Sequence, residues 1–542
     1  MGGVRAMKPW LRIVLTTSVM AGGSLVAAGL GTGYQLTGAS PSPRVLLVGT
    51  FNGIPGGYST IQAAVDAAAP GDWILVAPGD YKESGDHTSA VRWATPGAVT
   101  ITTPDIHIVG MDRNSVIVDG TKPGPTTCSS NEGDQDFGVV GPNGALGRNG
   151  ILVWKADNVT VENLTACNFL AGKDSSGNAI WWDGAAGSGT IGGHGFYGAY
   201  LSATSTYFGG ESTASAYGIF SSNWSGGTWE QTYASNFNDS GYYIGACQQV
   251  CNQVVDHAWA ENNALGYSGS NSGGQLVVEN SQFDGNQDGF DTNSQNGDNP
   301  PPQNGSCPNG AVSPITHTTS CWVFMDNYVH DNNNPNVPAA GSASAGPVGT
   351  GMSLSGARND TVMDNTFANN GAWGTIFVPY PDNGSPCTGG VNLPGLCLYD
   401  DSGNALIDNT YSHNGFFNNP TNGDFADLTL TPGLTNCFRG NVDTGAKHPS
   451  TSPPALQILK PKCGLTEPPD ANPLFLAEAA CDSQISIGPV GGNQGCLPGS
   501  SYPRQTKVDL KPLPSGLPTM PNPCVGAPAN AWCPNGQPAP KP

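Results

Sequence analysis

Asp288 and Asp291, two carboxylates flanking Gly-Phe in the run Asn286-Gln-Asp-Gly-Phe-Asp291, are spaced to hold a hard cation between them. Oxygen ligands suit calcium, so the pair is expected to form a calcium site at the start of a strand. The alternative is a plain corner, because Asp side chains readily bond the backbone of a turn. A second candidate is an excess of rings: 17 of the 87 residues from 181 to 267 are Phe, Trp or Tyr, against 8% for the chain. Aromatic faces pack on sugar rings as well as on each other. Trp181 and Trp182 are adjacent, and neighbours on a strand face opposite ways, so at least one ring of the pair is expected outside or in a loop. These two, with His194 between Gly193 and Gly195, are the expected substrate contacts.

The elements that must position these residues are announced by a repeat. An acid followed by an amide or imidazole recurs as Glu162-Asn163, Glu230-Gln231, Asp256-His257, Glu279-Asn280, Asp326-Asn327, Asp364-Asn365 and Asp408-Asn409. The starts are 68, 26, 23, 47, 38 and 44 residues apart, multiples of a unit slightly over twenty once insertions are allowed. Apolar residues alternate before each pair, as in Val159-Thr160-Val161, so one side of each short strand faces inward. Short strands at a fixed period, broken by Asn and Gly, predict an all-β solenoid: a parallel β-helix with one coil per unit. Recurring Asn should then stack on itself from coil to coil through its side-chain amides. Asn also tolerates the left-handed backbone of a sharp corner.

Termini and composition bound the rest. Arg5, Lys8 and Arg12 precede an apolar stretch from Ile13 to Leu30, the layout of a signal peptide or, if uncut, of an anchor. The expected organisation is a signal or anchor plus linker over 1–44, an N-terminal cap and first coils over 45–104, and a β-helix with loop insertions over 105–445. A Pro-rich, Cys-containing tail over 446–542 completes it. Fourteen Cys, clustered as near neighbours such as Cys307 and Cys321 or Cys524 and Cys533, predict local disulfides and a location outside the cytoplasm. A net charge of −21 disfavours nucleic acid and anionic membranes as partners, leaving membrane contact only through an uncut N-terminal segment.

The run Thr60-Ile-Gln-Ala-Ala-Val-Asp-Ala-Ala, then Pro70-Gly-Asp, a strand, and Ala77-Pro-Gly-Asp-Tyr81 resembles the opening of the pectin-lyase-like superfamily. The resemblance implies a right-handed parallel β-helix with a capping helix at its N-terminal end. Asn286–Asp291 is similar to the Asp-Asp-Gly-Phe-Asp calcium site of family 9 pectate lyases. Gly349-Thr-Gly-Met-Ser-Leu-Ser-Gly356 lies where those enzymes carry Gly-Asn-Gly-Phe-Lys-Leu-Gly-Gly. Two departures matter: Gln287 replaces the first metal Asp, and Ser353 replaces the catalytic Lys. Elimination needs a base, and Arg358, five residues beyond Ser353, is the expected substitute, with Asp288 beside it. These readings together predict a secreted or cell-surface β-helix that binds, and if catalytic cleaves in a lyase-like way, an extracellular polysaccharide. The alternative is a non-catalytic structural protein of the cell envelope.

Overall fold

A computed structural model describes residues 42–84, 97–184, 190–296, 303, 305–313, 317–339, 341–382, 387–484, 486–487, 490–491 and 496–541. The N-terminal apolar stretch lies outside the described residues. Among them, no helix is long and apolar enough to cross a membrane.

The short alternating strands of the repeat wind into a right-handed parallel β-helix. Each coil gives one strand to each of three long parallel sheets, of 12, 11 and 11 strands among the described residues. The first coil pairs Val45–Val48 with Trp73–Val76, and the last strands are Val442–Asp443 and Thr451–Ser452. The predicted cap is present: Thr60 Oγ1 accepts from Ala63 N at 3.3 Å and starts a helix over Ile61–Ala67. Its Ile61, Ala64 and Val65 join the core at the open end of the coil, the edge that would otherwise be unpaired.

Inward residues form one continuous core, from Ile74 and Ile108 through Val161 and Val255 to Phe324 and Phe438. The Asn stacks form as expected. Asn286 Nδ2 donates to Asn332 Oδ1 at 3.0 Å, Asn332 to Asn370 at 3.3 Å and Asn370 to Asn414 at 3.1 Å. A second stack runs Asn327, Asn365, Asn409, Asn441. The acid-amide phrase itself slips by one residue between coils, since Glu279 pairs with Met325, not Asp326. Before the slip the left-handed corner falls on Asn163, Gln231, His257 and Asn280; after it, on Asp326, Asp364 and Asp408. Both Asn and Asp tolerate that conformation, which is why the phrase survives the shift.

All fourteen cysteines pair, as Cys128–Cys167, Cys247–Cys251, Cys307–Cys321, Cys387–Cys397, Cys437–Cys463, Cys481–Cys496 and Cys524–Cys533. So many disulfides belong to an oxidising compartment.

The Pro-rich tail is extended, as its composition requires, but it is pinned to the coil and runs back along it. A helix over Pro473–Ser483 packs Phe475 on Trp373, ring centroids 5.5 Å apart. Lys511 N then donates to Asn236 Oδ1, Thr519 Oγ1 to Asn163 Oδ1, and Trp532 Nε1 to the carbonyl of Ile54. The tail thus reaches from the last coils to the first.

Candidate functional site

One sheet, formed by Asn178–Asp183, Tyr217–Ser222, Ser240–Gly245, Leu265–Ser270, Asp288–Asn293, Thr350–Ser355, Trp373–Val378 and their neighbours, presents an ordered row of outward side chains. Parallel in-register pairing stacks Trp181, Phe220, Tyr243, Ser268, Asp291, Ser353 and Ile376 in a single file, one per coil. At about 4.8 Å per coil the file runs roughly 19 Å from Trp181 to Asp291. Its first part is an aromatic platform: Trp181 stacks on Phe220 at 5.0 Å and 3°, and Tyr217 meets Phe220 at 4.7 Å and Tyr243 at 5.2 Å.

Beyond the platform lies a concavity lined by Tyr217, Asp239, Tyr243, Ser268, Asp291 and Tyr380, among others. Asp239 comes from the residue just before Ser240–Gly245, two coils from Asp291 and four residues ahead of the file position Tyr243, and both side chains line the concavity. Ser268, the small file residue beside Asp291, also lines the concavity and leaves room there. Tyr217 Oη donates to Asp239 Oδ2 at 3.1 Å. Burial, more than any neighbour, raises the Asp239 carboxyl to about 7, and the charge of Asp291 adds to the rise. Asp291 is also raised by burial, yet it accepts from Asn293 Nδ2 at 3.0 Å and Ser355 Oγ at 2.8 Å, which favour its charged form. Two carboxyls facing one concavity, one holding its proton near neutrality and one supported as the anion, are equipped for paired acid and base work.

The sequence-predicted residues scatter around this site. Trp181 is part of the platform and its Nε1 donates to Ser222 Oγ at 3.0 Å. Trp182 points the other way, fully buried against Phe196 at 4.8 Å, so it meets no ligand. His194 is exposed beside Asp157, just ahead of a strand of the twelve-stranded sheet, on another face of the rod. Arg358 lines neither the concavity nor the cavity beside it; its Nη2 donates to the Gly389 carbonyl at 2.8 Å. Asp288 is fully buried, with Ser353 Oγ donating to it at 2.6 Å, and so it cannot touch a substrate.

Ser353, paired with Asp291 across the sheet, donates to Asp288, so the two carboxyls lie near each other, and the charge of Asp291 raises Asp288 further after burial has done so. As a calcium cage the donor set is incomplete: Ser353 and Phe290 N occupy Asp288, while Ser355 and Asn293 occupy Asp291. Calcium takes six to eight oxygens, and these donors would first have to leave. The cluster of metal-type side chains found among the described residues, Asp119 with Cys128 and Cys167, has its two sulfurs joined in a disulfide. Asp239, Tyr217 and Tyr380 carried no local signal in the sequence. Stacking the coils on strand starts Tyr217, Ser240, Leu265 and Asp288 would have placed Asp239 on the same sheet as Asp291, two coils away.

No family model matches the sequence, and no curated protein does. Several solved structures are similar. The A-module of a mannuronan C-5 epimerase from Azotobacter vinelandii is 14% identical, covering 71% of this chain and 95% of that one, with a TM-score of 0.42. An alginate lyase from Paenibacillus sp. is 13% identical over 75% and 97%, TM-score 0.35. Pectate lyase Pel9A is 13% identical over 76% and 80%, TM-score 0.33. At this level the likeness says nothing of the reaction. The order and direction of the three sheets establish the architecture: the chain is a right-handed parallel β-helix.

Proposed function

We propose that the protein is a secreted polysaccharide-processing enzyme whose groove hydrolyses an uncharged glycan, with Asp239 as acid and Asp291 as base. The observation that carries the proposal is the unlike pair of carboxyls in one concavity with no cation near it. Neither the concavity nor the adjoining cavity is lined by Lys, Arg or His. Between Lys173 and Lys447 the sequence holds no Lys and only two Arg, Arg358 and Arg439. A polyuronate would bring its own negative charges to this surface and be repelled. A neutral chain has no such cost, and it can lie with its rings against the half-buried Trp181 and Tyr217.

In the reaction, Asp239 delivers its proton to the glycosidic oxygen, which leaves as an alcohol. Asp291 takes a proton from water as the water oxygen bonds to the anomeric carbon. Solvent then returns the proton to Asp239. Inverting hydrolysis needs carboxyls about 6.5–9.5 Å apart to seat that water. The offset of the two carboxyls, two coils across the sheet and four residues along it, supports this geometry over the closer retaining one.

A calcium-dependent lyase is the second reading, favoured by the proximity of Asp288 and Asp291. One panel separates the two: neutral and acidic polysaccharides incubated with protein, with calcium and with a chelator. New reducing ends from a neutral glycan, unaffected by chelation, support hydrolysis. Products absorbing in the ultraviolet, formed from a uronate only with calcium, replace it with the lyase reading. Binding without cleavage leaves a glycan-binding module.

A further inference from the structure

The groove does not end at the carboxyls. Beyond Asp291 on the far side from the aromatic platform, a cavity of about 240 Å³ opens beneath the tail helix. It shares Leu265, Asp291 and Tyr380 with the concavity described above, so the two are continuous. Its character is different. The file that supplied Trp181, Phe220 and Tyr243 on one side of Asp291 supplies Ile376 on the other, and Val378, Leu428 and Leu476 complete mostly apolar walls. The roof is fixed: Trp373 is held between Phe475 of the tail helix, at 5.5 Å, and Tyr502, at 5.8 Å.

We propose that this cavity takes an apolar substituent carried by the sugar beside the bond being cut, so that the substrate is a neutral glycan bearing an acyl, alkyl or aryl group. The inference rests on the hydrolase reading for the position of that bond. Three observations commit it to this occupant. First, the cavity meets the groove at Asp291, where the reacting bond lies. Second, apolar walls beside an acid pair offer a second sugar no hydroxyl partners beyond a few serines and one phenol. A ring of hydroxyls placed there would lose hydrogen bonds to water without replacement. Third, the volume suits the group, since a dry apolar cavity of about 150 Å³ already accepts benzene.

The test compares hexyl glucoside with methyl glucoside by calorimetric binding, and follows cleavage of neutral glycans by new reducing ends, on the full chain. The wild type is expected to bind the hexyl compound about tenfold or more tightly, from burial of the added methylenes. Ala479→Trp, which fills the cavity from the tail helix, is expected to reduce that preference to about onefold while leaving Asp239 and Asp291 untouched. A shift in the Ala479→Trp melting curve would report misfolding, and Val378→Trp, which fills the cavity from the coil side, then serves instead. Equal binding of the two glucosides by the wild type overturns the proposal, as does a preference that survives a folded cavity-filling variant. Selective binding with no cleavage of any glycan removes the hydrolase reading and leaves the cavity assignment standing. Cleavage of neutral glycans without hexyl selectivity does the reverse.

Discussion

The Tyr217 hydroxyl donates to Asp239 Oδ2 at 3.1 Å, joining the aromatic platform to the carboxyl that keeps its proton near neutrality. Donation to the charged form lowers a carboxyl, and burial raises it; here burial dominates. Tyr217 therefore acts as a positioning residue, holding Asp239 at the concavity while its ring packs, tilted, on Phe220.

Removing either carboxyl should abolish chemistry with little change in fold. Asp239→Asn and Asp291→Asn are each expected to lower kcat by about 10²–10⁴-fold, the usual worth of a general acid or base. Steady-state hydrolysis of the responsive glycan measures this, with circular dichroism as the control. An Asp239→Asn enzyme of full activity would exclude that residue as the acid.

The pH profile of kcat/KM should be bell-shaped. Asp239 must carry a proton, so activity should fall as pH rises through about 7. Asp291 must be ionised, so activity should fall on the acid side as it takes up its proton, above the ordinary carboxylate range. Tyr217→Phe removes a donor that favours ionised Asp239, so it should move the alkaline limb upward.

Stability should follow a different rule. Asp288, Asp360, Asp401 and Asp482 are buried and raised well above the ordinary carboxylate value. The fold holds their protons at pH values where the unfolded chain has lost them, so stability declines as pH rises above the unfolded carboxylate range. Melting curves from pH 5 to pH 8 should show Tm falling across that interval. A Tm that rises instead would mean these groups are charged and paired in solution.

Asn332→Ala tests the amide stack. Asn332 Oδ1 accepts from Asn286 N and Nδ2, and its Nδ2 donates to the Phe283 carbonyl at 3.0 Å. Leaving such buried groups unpaired costs about 3 kcal/mol. Urea denaturation should show a lower midpoint. No change would mean that water replaces the side chain.

The fold was legible because its signals are local and repeated. The run from Thr60 to Ala68 specifies a capped helix, and near-neighbour cysteines such as Cys307 and Cys321 find each other without long-range information. Stacked Asn residues were legible for the same reason. The groove was not, because its parts come from different coils. Asp239 precedes Asp291 by 52 residues and gains its character from burial under neighbours, from Tyr217 in the preceding coil and from the charge of Asp291. Adjacent Trp181 and Trp182 showed the opposite case: alternation along a strand already implied that the two rings part company, one outward and one into the core.

The return of the tail to its starting end has a mechanical consequence. A solenoid ordinarily frays from its terminal repeats, since each coil is supported only by its neighbours. Here Asn52 Nδ2 donates to the Ala539 carbonyl, and Trp532 sits under Phe51, so the last residues of the chain clasp the first coil. Unravelling at one extremity must therefore loosen the other. A single protease cut in the strap between Arg504 and Thr519 would release both at once, turning a closed hoop into an open spring.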